Sequence, residues 1–248
     1  MQDMIINGIP LAEFGGASLN NYIIGQTPMT NSIFQGTNNS QWLSLHSEYG
    51  LREIYITIVF KGATLREAKL NRSRFNGQVY DTCEIFIPDD GFWYRCSCLE
   101  LGDEELVGIG DTSGMIKSQY RFKGIRHDPL ETVSAVSGEP FVCKSTAPLT
   151  AARIRTYVPA DAVLFSLRHT NRQIVSFGNV SPGAFWAVID GIDNRVTLHG
   201  NNWLNNVTWN GGSSPFIMLM PGENIITTAV TPTTDPYGIT VEYYPVYI

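Results

Sequence analysis

The residues of this 248-residue chain that could do chemistry are few and scattered. The four histidines are His46, His127, His169 and His199, and no two of them stand at metal-ligand spacing. Cys96 and Cys98 put two thiols on one face of an extended segment. No second pair follows at zinc-site spacing, so with Cys83 and Cys143 they read as small core residues. No serine occupies a G-x-S-x-G elbow. Asp103-Glu104-Glu105 clusters three carboxylates in a Gly-flanked loop, where a solvated loop is the competing reading. Asp190-Gly191-Ile192-Asp193-Asn194 has the look of a cation loop but lacks the alternating oxygen ligands and distal Glu of an EF-hand; a hairpin turn accounts for it better. Trp186, Trp203 and Trp209, with Tyr237, Tyr243 and Tyr244, are either sheet and core aromatics or a sugar-stacking platform. Trp203 and Trp209 are the glycan candidates because they sit in the Asn-rich NNWLNNVTWN. These residues give no catalytic constellation, and the expectation is a protein without enzymatic machinery, metal or cofactor.

The elements that carry these residues are mostly short strands. Hydrophobic residues make up 43% and charged residues 16% of the chain, which is enough apolar material for a core, while 23 Gly and 13 Pro imply many turns. In Leu51–Gly77, Ile54, Ile56, Ile58 and Phe60 alternate with Tyr55, Thr57, Val59 and Lys61. That is a strand with two largely apolar faces, expected to be covered on both sides. A helix follows at once. Thr64-Leu65-Arg66-Glu67 matches a capping box, Leu65, Ala68, Arg72, Phe75 and Val79 share a stripe, and Gly77 suits the left-handed residue that ends a helix. Leu70 and Phe75 are the expected anchors.

Before this unit, Asn7-Gly8 marks a tight turn and Leu19–Ile24 a short strand. The polar segment 28–46 has few apolar anchors, among them Phe34 and Trp42; such a segment often reaches outside its own core. After it, Cys83–Ile87 and Phe92–Leu99 form a hairpin across Pro88-Asp89-Asp90-Gly91, residues 102–114 are a loop, and Met115–Gly124 alternates again. Residues 129–138, small and nearly uncharged, are the expected boundary, dividing the chain into 1–136 and 137–248. Hairpins at 187–198 and 217–227 and a last strand at 238–248 suggest a second sandwich or jelly roll.

Net charge is −6, with 11 Lys/Arg against 16 Asp/Glu in residues 1–136 and 6 against 7 in 137–248. No basic stripe suited to holding nucleic acid appears. The N-terminus lacks a signal-peptide pattern, and no apolar run approaches the roughly 18 residues of a membrane helix, so cytosolic synthesis is expected.

Several short pieces, taken in order, resemble the distal tail proteins (Dit) of long-tailed bacteriophages. They are Ile6–Gly15 (INGIPLAEFG), Phe60-Lys61-Gly62 feeding Arg66-Glu67, Asn71–Asn76 (NRSRFN), Pro88–Tyr94 (PDDGFWY) and Tyr120–Asp128 (YRFKGIRHD). In the second half they are Asp190-Gly191-Ile192 with Arg195, Pro221-Gly222-Glu223-Asn224 and Val241–Tyr247 (VEYYPVY). The resemblance covers the whole chain. It implies a mainly β protein: an N-terminal β-sandwich with one α-helix and an extended belt arm that forms rings, then a C-terminal galectin-like or carbohydrate-module-like sandwich. It also implies a homohexameric ring at the tail tip of the virion, assembled in the host bacterial cytoplasm. The ring joins the tail tube protein to the tail-associated hub or lysin protein, in some relatives carries receptor-binding proteins, and lets phage DNA pass without membrane insertion. On this reading Arg66, Arg72, Arg74, Phe34 and Trp42 are candidate subunit contacts, solvated helix charges being the alternative for the arginines, and Asp103, Glu104 and Glu105 are candidates to face the lumen. The remaining alternative is a carbohydrate-binding module acting in host cell-wall recognition.

Overall fold

The computed structural model describes residues 3–35, 42–107, 114–158, 162, 164–177, 185–211, 214–231 and 238–248, with backbone alone for 31–35, 42–48 and 185. Two compact units emerge: Met1–His127 with Ile248, and Asp128–Tyr247.

In the first unit the alternation of Arg52–Lys61 places it near one side of an antiparallel sheet. The order is Ile9–Pro10, Ile5–Ile6, Thr82–Ile87, Phe92–Leu101, Met115–His127, Arg52–Lys61 and Ser18–Ile24, with the short strand Glu105–Leu106 beside Met115–His127. The register sets Ile54, Ile56, Ile58 and Phe60 directly against Phe122, Tyr120, Ser118 and Ile116. All eight are buried on one face. The other face differs from the expectation. Tyr55, Thr57 and Val59 stay half-exposed, because the neighbouring strand sets Arg121, Gln119 and Lys117 beside them and no second layer covers charged groups. The turn at Asn7-Gly8 forms with both residues at positive φ (48° and 81°), the geometry its dipeptide favours.

The helix, α1, runs Leu65–Val79 over the apolar face. Thr64 Oγ1 accepts from the Glu67 N–H at 3.2 Å, and Glu67 reaches back to the Ala63 N–H at 2.7 Å, one residue before the expected partner. Its buried residues are Ala68, Asn71, Phe75 and Val79. Phe75 sits among Tyr120 (5.0 Å between centroids), Phe60 (5.4 Å) and Phe14 (5.5 Å). Two expectations fail here. Gly77 lies inside the helix, which continues to Val79 and ends on Tyr80 in right-handed geometry. Leu70 is 51% exposed; the inward position next to it belongs to Asn71, which donates to the Lys61 carbonyl at 2.8 Å. A side chain at Gly15 would collide with Asn71 (1.8 Å from a Cβ), and Gly15 has φ +70°, so a glycine is required beneath the helix.

The second unit is a β-sandwich. One sheet runs Glu131–Val136, Gly238–Tyr243, Thr150–Val158, Phe185–Asp190, Arg195–Leu198 and Asn201–Asn202, and the other Pro140–Cys143, Gly222–Thr231, Leu164–His169, Ile174–Phe177 and Val207–Asn210. Both contribute to one core, from Ile154, Ile189 and Val241 to Phe165, Phe177 and Ile226. Residues 129–138, expected to be a connecting stretch, carry the strand Glu131–Val136, paired along its length with Gly238–Tyr243. Its small residues are an edge-strand composition. The last strand stops at Tyr243, before Pro245, and only Val246–Tyr247 resumes.

Candidate assembly surfaces

The described parts of the segment 28–46 are not irregular. Met29–Gln35 and Trp42–Tyr49 pair as a two-stranded hairpin, Met29 against Tyr49 and Gln35 against Trp42. The ladder shows its origin. Ile24 faces Ile54, the Gly25 N–H donates to the Glu53 carbonyl (2.8 Å), and the Gly50 N–H donates to the Pro28 carbonyl (2.7 Å). The hairpin is therefore the outward continuation of the Ser18–Ile24 and Arg52–Lys61 pair, an arm that leaves the sheet. Phe34 and Trp42 lie on its two strands; their side chains, and that of His46, fall outside the described ones. At the arm's root Met29 (55%), Tyr49 and Ile248 leave apolar surface exposed around a hollow of about 670 Å³, and Leu51 beside them is exposed too.

The arginines of α1 divide. Arg72 turns inward: its guanidinium binds Glu104 at 2.9 Å and the Gly102 carbonyl. Lys69 holds the same carboxylate at 2.9 Å. Lys69 and Arg72 together keep Glu104 below the usual carboxylate range. Arg66 and Arg74 are exposed, and with Leu70 they form a stripe at i, i+4, i+8 that makes no ion pair among the described residues.

The open face of the sheet carries a polar cleft of about 550 Å³, lined in part by Tyr55, Thr57, Asp103, Glu105, Gln119 and Arg121. Its cations are neutralised locally. Arg121 binds Glu53 at 2.9 Å, Lys117 binds Glu105 at 2.7 Å, and Tyr55 donates to Glu53 at 2.8 Å. The Arg121 guanidinium holds the Glu53 carboxyl below its ordinary value. Of the three loop carboxylates, Asp103 and Glu105 line this cleft, whereas Glu104 is taken up by the helix. Glu105 belongs to a short strand rather than to a loop, and residues 108–113 lie outside the described ones.

In the second unit Trp203 is half-buried against the core, while Trp209 is 45% exposed on an edge strand. Trp186 (51% exposed) and Tyr157 (41%) form an edge-to-face pair at 5.6 Å, with the Arg155 guanidinium 5.8 Å from the indole. Tyr243 is core and Tyr237 falls outside the described residues. The Asp190–Asn194 turn forms as a hairpin, Asp190 against Arg195. Asp190 is fully buried, binds Arg153 (2.8 Å) and Arg195 (3.0 Å), and accepts from the backbone N–H groups of Ile192 and Asp193. Burial pushes its carboxyl up, but Arg153, the Asp193 N–H and Arg195 outweigh burial and hold it below the ordinary range.

One cluster the sequence did not reveal centres on Asn224. Its amide donates to the carbonyls of Met220 (2.8 Å) and Gly222 (2.9 Å), and its oxygen accepts from the Met220 N–H (2.9 Å). That leaves His169 Nε2, 2.9 Å from the same oxygen, as a donor. The Pro221–Asn224 turn thus ties the buried His169 to its own backbone. Cys83 and Cys96, opposite each other on adjacent strands, are buried with their sulfurs 3.8 Å apart. Among the described residues no three His, Cys, Asp or Glu side chains converge to hold an ion.

This mainly β fold is shared with phage hub and baseplate proteins of known structure. The chain is similar to the Dit protein (gp 19.1) of phage SPP1, described as a paradigm of the hub adsorption apparatus in phages infecting Gram-positive bacteria. The two share 14% identity over 98% of each chain, with a TM-score of 0.68. It is also similar to a chain of the phage P2 baseplate in its activated conformation, in the Ca form (10% identity, 91% of this chain and 90% of that one, TM-score 0.51) and in the Sr form (10%, the same coverage, 0.50). No protein-family model and no curated protein sequence matches the chain.

Proposed function

We propose that this chain is a distal tail protein: a structural, non-enzymatic component of a phage tail tip that closes into a homohexameric ring. The observation that carries the reading is the likeness to the SPP1 Dit protein across 98% of both chains. In this reading the ring joins the tail tube to the tail-associated hub and the host-adhesion apparatus, with the second unit outward and available to a receptor-binding protein. The arm reaches the neighbouring copy, and Arg66 and Arg74 lie at a subunit contact. A heterologous ring needs two different patches on each copy, and the arm and the stripe on α1 supply distinct ones. The open sheet face suits a bore: each cation in its cleft is paired with a carboxylate, so passing DNA meets no unpaired positive groups there. Such a protein is assembled in the host cytoplasm and resides in the virion. Light scattering coupled to size exclusion, with negative-stain imaging, tests the proposal: rings of six copies are expected, and a well-folded strict monomer without rings counts against it.

A second reading, glycan binding by the second unit, is favoured by the exposed Trp186–Tyr157 pair and by Trp209. Aromatic faces open to solvent are what sugar rings stack on. Calorimetric titration of the whole chain with host-wall polysaccharide decides it; no heat of binding at millimolar sugar removes it.

A further inference from the structure

All four cysteines are thiols, and two of them are placed to react with each other. Cys83 and Cys96 lie directly opposite on neighbouring strands, with their sulfurs in contact at 3.8 Å. The other two are engaged elsewhere. Cys143 belongs to the core of the second unit, and the Cys98 thiol donates to the Glu100 carbonyl at 3.4 Å.

The backbone around the pair suits a covalent bond. The Asn7 N–H donates to the Glu84 carbonyl (2.8 Å), and the Glu84 N–H donates to Asn7 Oδ1 (2.9 Å). The peptide groups of Glu84 therefore face Ile5–Ile6, and those of Cys83, one residue earlier, face Phe92–Leu101. Cys83 and Cys96 then form a hydrogen-bonded cross-strand pair, whose Cα atoms stand about 5.5 Å apart. A disulfide bridges Cα separations of about 4.4–6.8 Å, so no strand has to move. On its other flank Cys96 faces Gly124, where a Cβ would sit 2.4 Å from its own, so a glycine keeps that side clear for the thiol.

The closed structure protects the pair from oxidation. Cys83 and Cys96 are 1% and 2% exposed. The hydrogen bond shared with Cys83, together with burial, pushes the Cys96 thiol up and suppresses the thiolate that attacks disulfides. Local opening supplies access. Cys83 is the second residue of its strand and follows Tyr80, Asp81 and Thr82, all exposed. The Pro88–Gly91 turn closes the opposite end of the hairpin, so fraying at Thr82 and Cys83 frees both thiols while the rest of the ladder stays paired.

We infer that Cys83 and Cys96 are a latent cross-strand disulfide, a dithiol in a reducing compartment that a small disulfide such as oxidised glutathione closes through the frayed strand end. One cysteine thiolate attacks the small disulfide and displaces one of its halves as a thiol, leaving a mixed disulfide on the protein. The second cysteine thiolate attacks that protein sulfur and displaces the other half. One S–S bond forms in the protein and one breaks in the oxidant, and the two cysteine protons pass to the two released thiols. The closed bond staples Thr82–Ile87 to Phe92–Leu101 and restricts the unfolded chain between Cys83 and Cys96. It lies within one chain, so the inference and the ring proposed above stand or fall separately.

Incubating the full chain with excess oxidised glutathione, below its melting temperature, tests the inference. The thiol count after denaturation is expected to fall from four to two, with peptide mapping placing the bond between Cys83 and Cys96. The melting temperature of the first unit is expected to rise by on the order of 5–10 °C and to return on treatment with dithiothreitol. Cys83→Ser, treated in the same way, is expected to show no such rise. Four thiols remaining after prolonged treatment overturn the inference, as does a bond mapped to Cys98, to Cys143 or between chains. A Cys83–Cys96 bond that leaves the melting temperature unchanged or lowers it overturns the staple. If the serine variant fails to fold, thiol count, mapping and melting of the unmodified chain still decide.

Discussion

Phe75 and Leu70 stand five residues apart on α1, and the structure gives them opposite fates. Phe75 is buried among three aromatic rings, and its removal leaves a hole that Phe14, Phe60 and Tyr120 cannot close without leaving their packing. Phe75→Ala is expected to destabilise the first unit by about 3–5 kcal/mol. Leu70→Ala, at a half-exposed site, is expected to stay within about 0.5 kcal/mol. Denaturant unfolding followed by a probe of the first unit measures both; a large loss at Leu70 would contradict the helix orientation seen here. The error in reading Leu70 from sequence has a physical cause. The inward stripe is completed by a polar residue, Asn71, whose amide is satisfied by the Lys61 carbonyl, and apolar periodicity is blind to a buried asparagine. The strand next to it was more legible, because in Ile54–Phe60 side-chain direction follows from period two alone. What the alternation could not tell was whether a second layer covers Tyr55, Thr57 and Val59. That depends on the Lys117, Gln119 and Arg121 of a strand some sixty residues away.

Two turns of the second unit are expected to carry stability out of proportion to their length, because each gathers several buried polar contacts. Pro221-Gly222-Glu223-Asn224 is visible in the sequence as a turn, but its reason is not, since Asn224 meets a histidine 55 residues earlier. Asn224→Ala leaves the Met220 and Gly222 carbonyls, the Met220 N–H and the buried His169 short of a partner. The expected loss is about 3 kcal/mol, read as a shift of the second unit's unfolding midpoint. The Asp190 turn adds a pH dependence with a definite sign. Its carboxyl is depressed in the folded state relative to the unfolded chain. The folded state therefore binds fewer protons, and the stabilisation is fully present above the unfolded value of about 4. It is lost as pH falls further through the folded value. Acid titration of thermal stability should show the second unit weakening below about pH 4. Asp190→Asn should remove that acid-side slope while costing about 2–3 kcal/mol at neutral pH. A variant with the slope unchanged would mean that other carboxylates carry it. The sequence showed the hairpin here; it could not show that Arg153, from another strand, completes the charge cluster.

At the scale of the whole chain, fold class and the existence of two β units are legible from turn spacing and short alternating runs. The arm and the division of the surface arginines are not. Residues 28–46 lack periodicity because the strands Met29–Gln35 and Trp42–Tyr49, standing clear of the sheet, have no core side to encode, and their pairing is set by the ladder they extend. Arg66, Arg72 and Arg74 look alike as letters. Only the placement of Glu104 under α1 separates the inward Arg72 from the two that face out beside Leu70. That difference makes the last prediction. Arg72→Ala breaks the Glu104 and Gly102 contacts and is expected to lower the melting temperature of the first unit. Arg66→Glu with Arg74→Glu touches no ion pair among the described residues, so the melting temperature should change little, while self-association weakens if this stripe meets a neighbouring copy. Sedimentation of the double variant against the unmodified chain separates the two roles. Unchanged association would return Arg66 and Arg74 to the status of solvated helix charges, and the proposed ring would then have to be held by other surfaces, the arm among them.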